Sequence, residues 1–207
     1  TIVQQGLPSA GMLPVQQPKI FSRDAAAGLK FLRGMKAFSK VGLIGHSEGG
    51  AIAFILGAKG MTDFVVSMAG PGVKGDTLLV MQQNRVAELM GIPTKTSIAQ
   101  LRKNEQLLKA PWFRWFIDYD PSADIKSTRC PVFAINGNRD CQVISLQNLT
   151  AIEQLLPKTK MNRVKEYPGL NHLFQHCSTG NTNEYRQIEE TISPEVLSDI
   201  AEWIKGL

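Results

Sequence analysis

The chain has 207 residues, of which 43% are hydrophobic and 20% are charged, and it carries a net charge of +5. These values are ordinary for a globular protein of one domain, or at most two small ones, and no apolar run approaches the ~20 residues that a membrane-spanning helix needs. The three cysteines have no CxxC spacing, which argues against a disulfide framework or a zinc knuckle and favours free thiols.

The first predicted element is a helix over residues 22–38, after a loop-like segment rich in Gly, Pro and Gln. Asp24 would lie in its first turn, where the helix dipole favours a negative charge. Three apolar residues would form its buried side: Leu29, Leu32 and Met35. Basic residues would form its solvated face: Lys30, Arg33, Lys36 and Lys40. Because no aromatic residues interleave with these charges, the sequence indicates no nucleic-acid partner.

A rhythm of strand and helix follows, which predicts a mostly parallel sheet covered by helices and therefore an α/β fold. Four segments are predicted as strands: 41–45, 64–68, 131–137 and 163–167. Helices are predicted at 48–58 and 146–156. A last helix would begin at Pro194 with Ser193 as its N-cap. Its apolar face would carry Val196, Leu197, Ile200, Trp203 and Ile204.

Residues 70–127 interrupt this rhythm, because they are helical in character and contain the aromatic stretch PWFRWFIDYDP at 111–121. A helical insertion between two strands of an α/β sheet is expected to cover the carboxyl edge of the strands, where ligands bind in such sheets. We therefore predict a core formed by residues 1–69 and 128–207 and a helical cap formed by residues 70–127.

The motif GHSEGG, at residues 45–50, lies where a predicted strand meets a predicted helix. A serine hydroxyl is a weak nucleophile that needs a base beside it and a position clear of the backbone. A sharp strand-to-helix turn gives Ser47 that position, and Gly45 and Gly49 are expected to relieve the crowding. The turn also directs the backbone N–H of Glu48 toward the reaction centre as an oxyanion donor. The strand and helix around the motif favour a nucleophile over an ordinary serine in a glycine-rich turn.

Such a serine requires an acid and a histidine later in the chain, in that order. Asp140 follows the strand 131–137 and would lie at the carboxyl edge of the sheet, although it could equally stabilise its own loop. His172, in the loop after the next strand, is preferred as base over His176, and His46 is expected to point away from the serine. His172 and His176 form an H-x3-H pair without a third metal ligand, so no metal or other cofactor is predicted.

With these residues the chain resembles the α/β-hydrolase superfamily, and it looks most like bacterial esterases often grouped with dipeptidyl-peptidase-like hydrolases. The likeness lies in GLIGHSEGG, VSMAGPGVKGD, PWFRWFIDYDP, and PGLNHLFQ with the later IEETISPEV. It implies that Ser47, Asp140 and His172 are nucleophile, acid and base.

In this superfamily several strands precede the nucleophile, so we expect the N-terminal strands of the fold to be absent. No HGG or HGxG loop precedes Ser47, so the second oxyanion donor has no source in this sequence.

The predicted function is hydrolysis of a small-molecule carboxylic ester through an acyl-enzyme. The same triad could serve a peptidase, a thioesterase or an acyltransferase, and a non-catalytic interaction domain is the alternative from another class.

Strand 41–45 would leave an exposed sheet edge, open to pairing with another chain or a second copy. The compartment is not predicted. Four aromatic residues would line the acyl pocket, unless they pack only within the cap: Trp112, Phe113, Trp115 and Phe116.

Overall fold

A computed structural model describes the backbone of residues 18–207 and the side chains of residues 21–207. Within this part of the chain, four parallel strands form one sheet in the order β1–β2–β3–β4. The strands are β1 (Leu43–His46), β2 (Val65–Met68), β3 (Val132–Gly137) and β4 (Arg163–Tyr167). The predicted parallel sheet is confirmed, with each boundary within two residues of its predicted place.

Helices connect the strands, as the alternating sequence pattern predicts. The α-helices are α1 (Pro18–Gly34), α2 (Glu48–Ala58), α3 (Gly75–Leu89), α4 (Ile98–Arg102), α5 (Glu105–Leu108), α6 (Pro111–Phe116), α7 (Ser122–Ser127), α8 (Ser145–Leu155) and α9 (Pro194–Lys205). A 3-10 helix covers Thr182–Gln187. Helices α3 to α7, which we call the helical insertion, all lie between β2 and β3. Among residues 18–207, no helix is both long and apolar enough to cross a bilayer.

The two central strands, β2 and β3, are buried along their whole length. Because successive side chains of a strand point to opposite faces, these strands contribute to two separate cores. On one face Val66 and Phe133 pack with Val196 and other residues of α9. On the other face Val65 and Val132 pack with Phe54 of α2, and with residues of α7 and α8. Helices therefore cover both faces, as a buried parallel sheet requires.

Helix α1 differs from the prediction at both ends. It begins at Pro18, so Asp24 does not lie in its first turn, and it ends at Gly34 instead of continuing to residue 38. Leu29 is buried against Leu56 of α2, as predicted. Leu32 is exposed because the side of α1 that packs against α2 contains fewer residues than predicted. Met35 is exposed and lies beyond the end of the helix. The basic face is exposed as predicted, and on it a guanidinium nitrogen of Arg33 lies 2.9 Å from a carboxylate oxygen of Asp63.

Helix α9 begins where the sequence predicts, with Ser193 at the N-cap position and Pro194 at the first helical position. The Ser193 side chain makes no capping hydrogen bond, and its hydroxyl is buried without a partner among the described residues. Pro194 at the first helical position, with its fixed φ, suits the start of a helix. Val196 and Ile200 are buried as predicted, whereas Leu197 is exposed and does not belong to the apolar face.

Candidate active site

The three residues proposed for catalysis all follow carboxyl ends of strands. Ser47 comes directly after β1, Asp140 lies in the turn after β3, and His172 lies in the loop after β4. Parallel strands end on the same side of a sheet, and the last residues of β3 and β4, Gly137 and Tyr167, are paired in register. The topology therefore brings these three segments to one edge of the sheet.

Ser47 occupies a strained turn between β1 and α2. Its φ of 56° and ψ of −120° are uncommon for a residue with a side chain, and such strain is often found at functional sites. The backbone N–H of Ser47 donates to the carbonyl of Met68 at 2.8 Å, which fixes the turn to the end of β2. Glu48 is the first residue of α2, a position whose N–H has no intrahelical acceptor.

The glycines around Ser47 have different roles. A Cβ added to Gly45 would lie 2.0 Å from the carbonyl oxygen of Gly49, so the tight turn requires glycine at residue 45. The prediction for Gly49 is wrong, because a Cβ there would meet no atom within 4 Å. Gly50 is the second glycine that the packing requires, since its Cβ would lie 2.7 Å from Cα of Gly70. The role of Gly50 was not predicted, although the paired glycines in GHSEGG were a signal.

These contacts predict opposite outcomes for two similar substitutions. Gly45→Ala is expected to destabilise the protein by about 3 kcal/mol or more, because the added methyl group collides with backbone. Gly49→Ala is expected to be neutral or to stabilise α2 by up to about 1 kcal/mol, because alanine is the better helix former. Urea denaturation of the two variants and the wild type measures both effects. Equal losses of stability in the two variants would contradict the packing described for this turn.

Asp140 and His172 form a buried pair. Oδ2 of Asp140 lies 2.7 Å from Nδ1 of His172, and the two residues are 3% and 5% exposed. The other carboxylate oxygen, Oδ1, accepts the backbone N–H groups of Gln142 and Val143 at 2.7 and 2.9 Å. The carboxylate therefore does both things that the sequence left open: it stabilises its own loop and it binds the histidine.

Backbone contacts hold the two loops of this pair together. The N–H of Arg139 donates to the carbonyl of Leu170 at 3.0 Å, and a Cβ at Gly137 would lie only 2.2 Å from that same oxygen. Oδ1 of Asn171 accepts the N–H groups of Leu173 and Gln175, which closes the loop around His172. The spacing between acid and histidine is thus set by the main chain as well as by the side chains.

His46 joins the serine turn to the histidine loop, a contact that the sequence analysis missed. Its Nε2 lies 2.8 Å from the backbone carbonyl oxygen of His172, and the two imidazole centroids are 4.6 Å apart. A carbonyl only accepts, so Nε2 must carry the proton. Burial, together with the neighbouring imidazole of His172, lowers the pKa of His46 to about 4. His46 is therefore neutral near pH 7 and links the residue beside Ser47 to His172.

The low pKa of His46 predicts a loss of stability in acid. The unfolded chain binds a proton at this residue near pH 6.5, while the folded protein does so only near pH 4, so its contribution to stability falls as pH drops through this interval. The difference between these two pKa values corresponds to about 3 kcal/mol of stability. Below pH 4 this residue contributes little further loss of stability. His46→Gln removes this titration, so the stability of the variant relative to wild type should rise between pH 7 and pH 4. Urea denaturation across this range measures the rise.

His176→Gln is the matched control for this experiment, because the His176 side chain is 64% exposed. It gives the effect of removing an exposed imidazole, with which the effect at residue 46 is compared. Parallel curves for His46→Gln and wild type would contradict the burial of a neutral imidazole at residue 46.

His176 does not share the site of His172. Its Nδ1 lies 2.9 Å from Glu190, on an exposed part of the surface, whereas His172 faces Asp140. The H-x3-H pair is thus divided between two acidic partners. Within residues 18–207, no group of three or more His, Cys, Asp or Glu side chains is placed to hold a metal ion.

The aromatic residues of α6 occupy different positions in the helical insertion. The ring of Trp112 stacks on that of Phe116 with centroids 4.8 Å apart, and it packs edge-on against Phe113 at 4.8 Å. Phe116 is 4% exposed and lies inside the apolar cluster of the insertion, as the packing alternative predicts. Trp115 stacks on Tyr119 at 4.7 Å.

Two contacts bring the insertion to the site. The Trp112 side chain interacts with the carboxyl group of Glu48, next to Ser47. Val143, which follows Asp140 in its loop, belongs to the apolar cluster of the insertion. Of the four predicted pocket residues, Trp112 is therefore the one that the described contacts tie to the serine turn.

The chain is similar to several known proteins. The chain is 26% identical to Esterase EstD of Thermotoga maritima in an alignment of 193 residues. The alignment covers 87% of this chain and 46% of the esterase, so the chain spans about half the length of this curated relative. Its fold is similar to that of a monoacylglycerol lipase of Paleococcus ferrophilus, with a TM-score of 0.53 and 15% identity over 92% of this chain and 76% of the lipase. It is also similar to E-2-(acetamidomethylene)succinate hydrolase, with a TM-score of 0.54 and 17% identity over 91% of this chain and 74% of that one.

At such low identities the two solved structures establish the fold alone, and they confirm the predicted α/β-hydrolase fold. Residues 26–176, most of the chain, match the family described as BAAT / Acyl-CoA thioester hydrolase C terminal. The resemblance to the superfamily is thus confirmed, within a family that the sequence analysis did not name. The chain belongs to the BAAT / Acyl-CoA thioester hydrolase C-terminal family and has the α/β-hydrolase fold.

Proposed function

We propose that this protein is a serine hydrolase that cleaves carboxylic esters through an acyl-enzyme, with Ser47 as nucleophile, His172 as base and Asp140 as the acid that orients it. The observation that carries the proposal is the buried pair of Asp140 and His172, 2.7 Å apart, which the contact of His46 with the His172 carbonyl joins to the turn of Ser47. Because Nδ1 of His172 is bound to the carboxylate, Nε2 is left for proton transfer.

In the proposed reaction, Oγ of Ser47 attacks the ester carbonyl carbon while Nε2 of His172 removes the hydroxyl proton. The carbonyl oxygen becomes an oxyanion, which the N–H of Glu48 stabilises at the start of α2. The intermediate collapses, the C–O bond to the alcohol breaks, and His172 returns the proton to the leaving oxygen. Water then attacks the acyl-enzyme with His172 again as base, which releases the acid and restores Ser47.

The geometry around Ser47 supports this role. Its positive φ and its position between β1 and α2 are what a hydroxyl held clear of the backbone requires. Among the described residues the Ser47 hydroxyl makes no hydrogen bond to His172. Such bonds are often long in ligand-free enzymes, and we expect this one to form when substrate binds.

Thioester hydrolysis is the second candidate, because the matched family includes acyl-CoA thioester hydrolases by its description. The same nucleophile and base serve both reactions, and the substrates differ in the leaving group. We favour the oxygen ester because the relative that aligns with 87% of this chain is an esterase by name.

The test compares p-nitrophenyl butyrate, butyryl-CoA and alanine p-nitroanilide as substrates of the purified protein, with the Ser47→Ala variant as the blank. The proposal predicts the highest kcat/KM for the p-nitrophenyl ester. A higher kcat/KM for butyryl-CoA would replace the ester with a thioester as substrate. Ester hydrolysis no faster than in the Ser47→Ala variant would remove the proposed reaction.

A further inference from the structure

The surroundings of the Glu48 carboxyl group leave one of its oxygens without a hydrogen bond to the described residues. Its Oε1 is buried and has no hydrogen-bond partner among the described residues. Burial raises the pKa of this carboxyl group, and the interaction with the Trp112 side chain opposes the rise only in part. A buried polar atom without a partner is destabilising, and such groups are rare in folded proteins. An unpartnered carboxyl oxygen beside a proposed nucleophile therefore calls for a functional explanation.

The position of Glu48 gives that explanation. Its Cα follows that of Ser47 by one peptide bond, roughly 3.8 Å. Its carboxyl group interacts with the Trp112 side chain of α6, so it lies on the side of the serine turn that faces the helical insertion. That part of the insertion is aromatic, because Trp112 stacks on Phe116 and packs against Phe113. Specific binding sites commonly combine apolar side chains with a few placed polar groups.

We propose that the Glu48 carboxyl group recognises a hydrogen-bond donor, either a hydroxyl or an ammonium group, on the acyl part of the substrate. This inference rests on the proposed function, because it assumes an acyl group bound at Ser47. The substrate donor would give the unpartnered Oε1 its hydrogen bond, and an acyl chain without a donor would leave that atom unpaired. A site built in this way discriminates strongly against the analogue that lacks the polar group.

The test uses three matched p-nitrophenyl esters, of butyric, 3-hydroxybutyric and 3-aminobutyric acid. The measured quantity is the ratio of kcat/KM for each substituted ester to that for the butyrate on the same variant. Any effect of a substitution on the shared chemistry cancels in this ratio, which matters because the backbone N–H of Glu48 is the proposed oxyanion donor. Each ratio is corrected for the spontaneous hydrolysis of its ester.

For the wild type, at least one substituted ester should be preferred about tenfold or more. In Glu48→Leu both ratios should fall to about one. Glu48→Gln keeps an acceptor but loses the charge, so it should retain a preference for the hydroxyl ester and lose any preference for the ammonium ester. Glu88→Gln, which removes a carboxylate that is 69% exposed on α3, is the matched control and should keep the wild-type ratios.

Ratios of one in the wild type, or wild-type ratios in Glu48→Leu, would overturn the role of Glu48 while leaving ester hydrolysis intact. If Glu48→Leu does not fold, as judged by circular dichroism, Glu48→Ala replaces it as the variant without a carboxyl group, with the same expected ratios. Hydrolysis of none of the three esters above the Ser47→Ala blank would overturn the proposed function itself, and the role of Glu48 with it.

Discussion

Replacing Ser47 by alanine is expected to lower kcat for p-nitrophenyl butyrate about a million-fold, the cost of removing a nucleophile that acts as one unit with its base. The alanine variant cannot form the acyl-enzyme, so the buried pair of Asp140 and His172 has no hydroxyl to activate. Residual turnover would come from the oxyanion donor and from substrate binding alone. Stability should change little, because the Ser47 hydroxyl makes no hydrogen bond among the described residues.

This prediction is checked by steady-state kinetics together with thermal unfolding. Ser198→Ala removes a hydroxyl from the exposed surface of α9 and is the control, with wild-type kcat expected. A Ser47→Ala variant that folds and retains more than about a tenth of wild-type kcat would assign the nucleophile to another residue.

Asp140→Asn is expected to keep the fold and to lower kcat by about 10⁴. The backbone N–H groups of Gln142 and Val143 both donate to Oδ1, so the carbonyl oxygen of asparagine would occupy that position. The amide NH₂ would then face Nδ1 of His172 and donate to it. That reverses the tautomer, so Nε2 carries the proton and no longer accepts one from Ser47.

The same kinetic assay, with thermal unfolding as a check on folding, measures this loss. Asp118→Asn is a matched control, because Asp118 is 66% exposed and pairs with Arg102 outside the site. Near-normal kcat in folded Asp140→Asn would mean that another group orients the histidine. Loss of the fold in this variant would mean that the carboxylate charge itself holds the loop.

The elements of the sheet could be predicted from the sequence because their signals are local. The apolar runs that became β2 and β3 are buried on both faces, and a buried parallel strand reads as a continuous apolar segment. The ends of α1 could not be predicted in this way. Its apolar pattern continues through Met35, but the helix ends at Gly34 and Met35 is exposed, because burial depends on the neighbours that the tertiary fold supplies.

The candidate site was predictable where chain order and strand ends decide the geometry, as for Ser47, Asp140 and His172. It was not predictable where one loop meets another. The contact of His46 with the His172 carbonyl joins residues 126 positions apart, and no local pattern encodes it. The approach of Gly50 to Gly70 likewise depends on how α2 lies against the loop after β2.

The most direct test of this account is the reaction of the purified protein with a fluorophosphonate probe, followed by intact mass measurement and peptide mapping. We predict one label per chain, on Ser47, and much slower labelling in the His172→Gln variant, because the base is then missing. A folded wild-type protein that takes up no label, or takes it up on another residue, would contradict the account and favour a non-catalytic role for this domain.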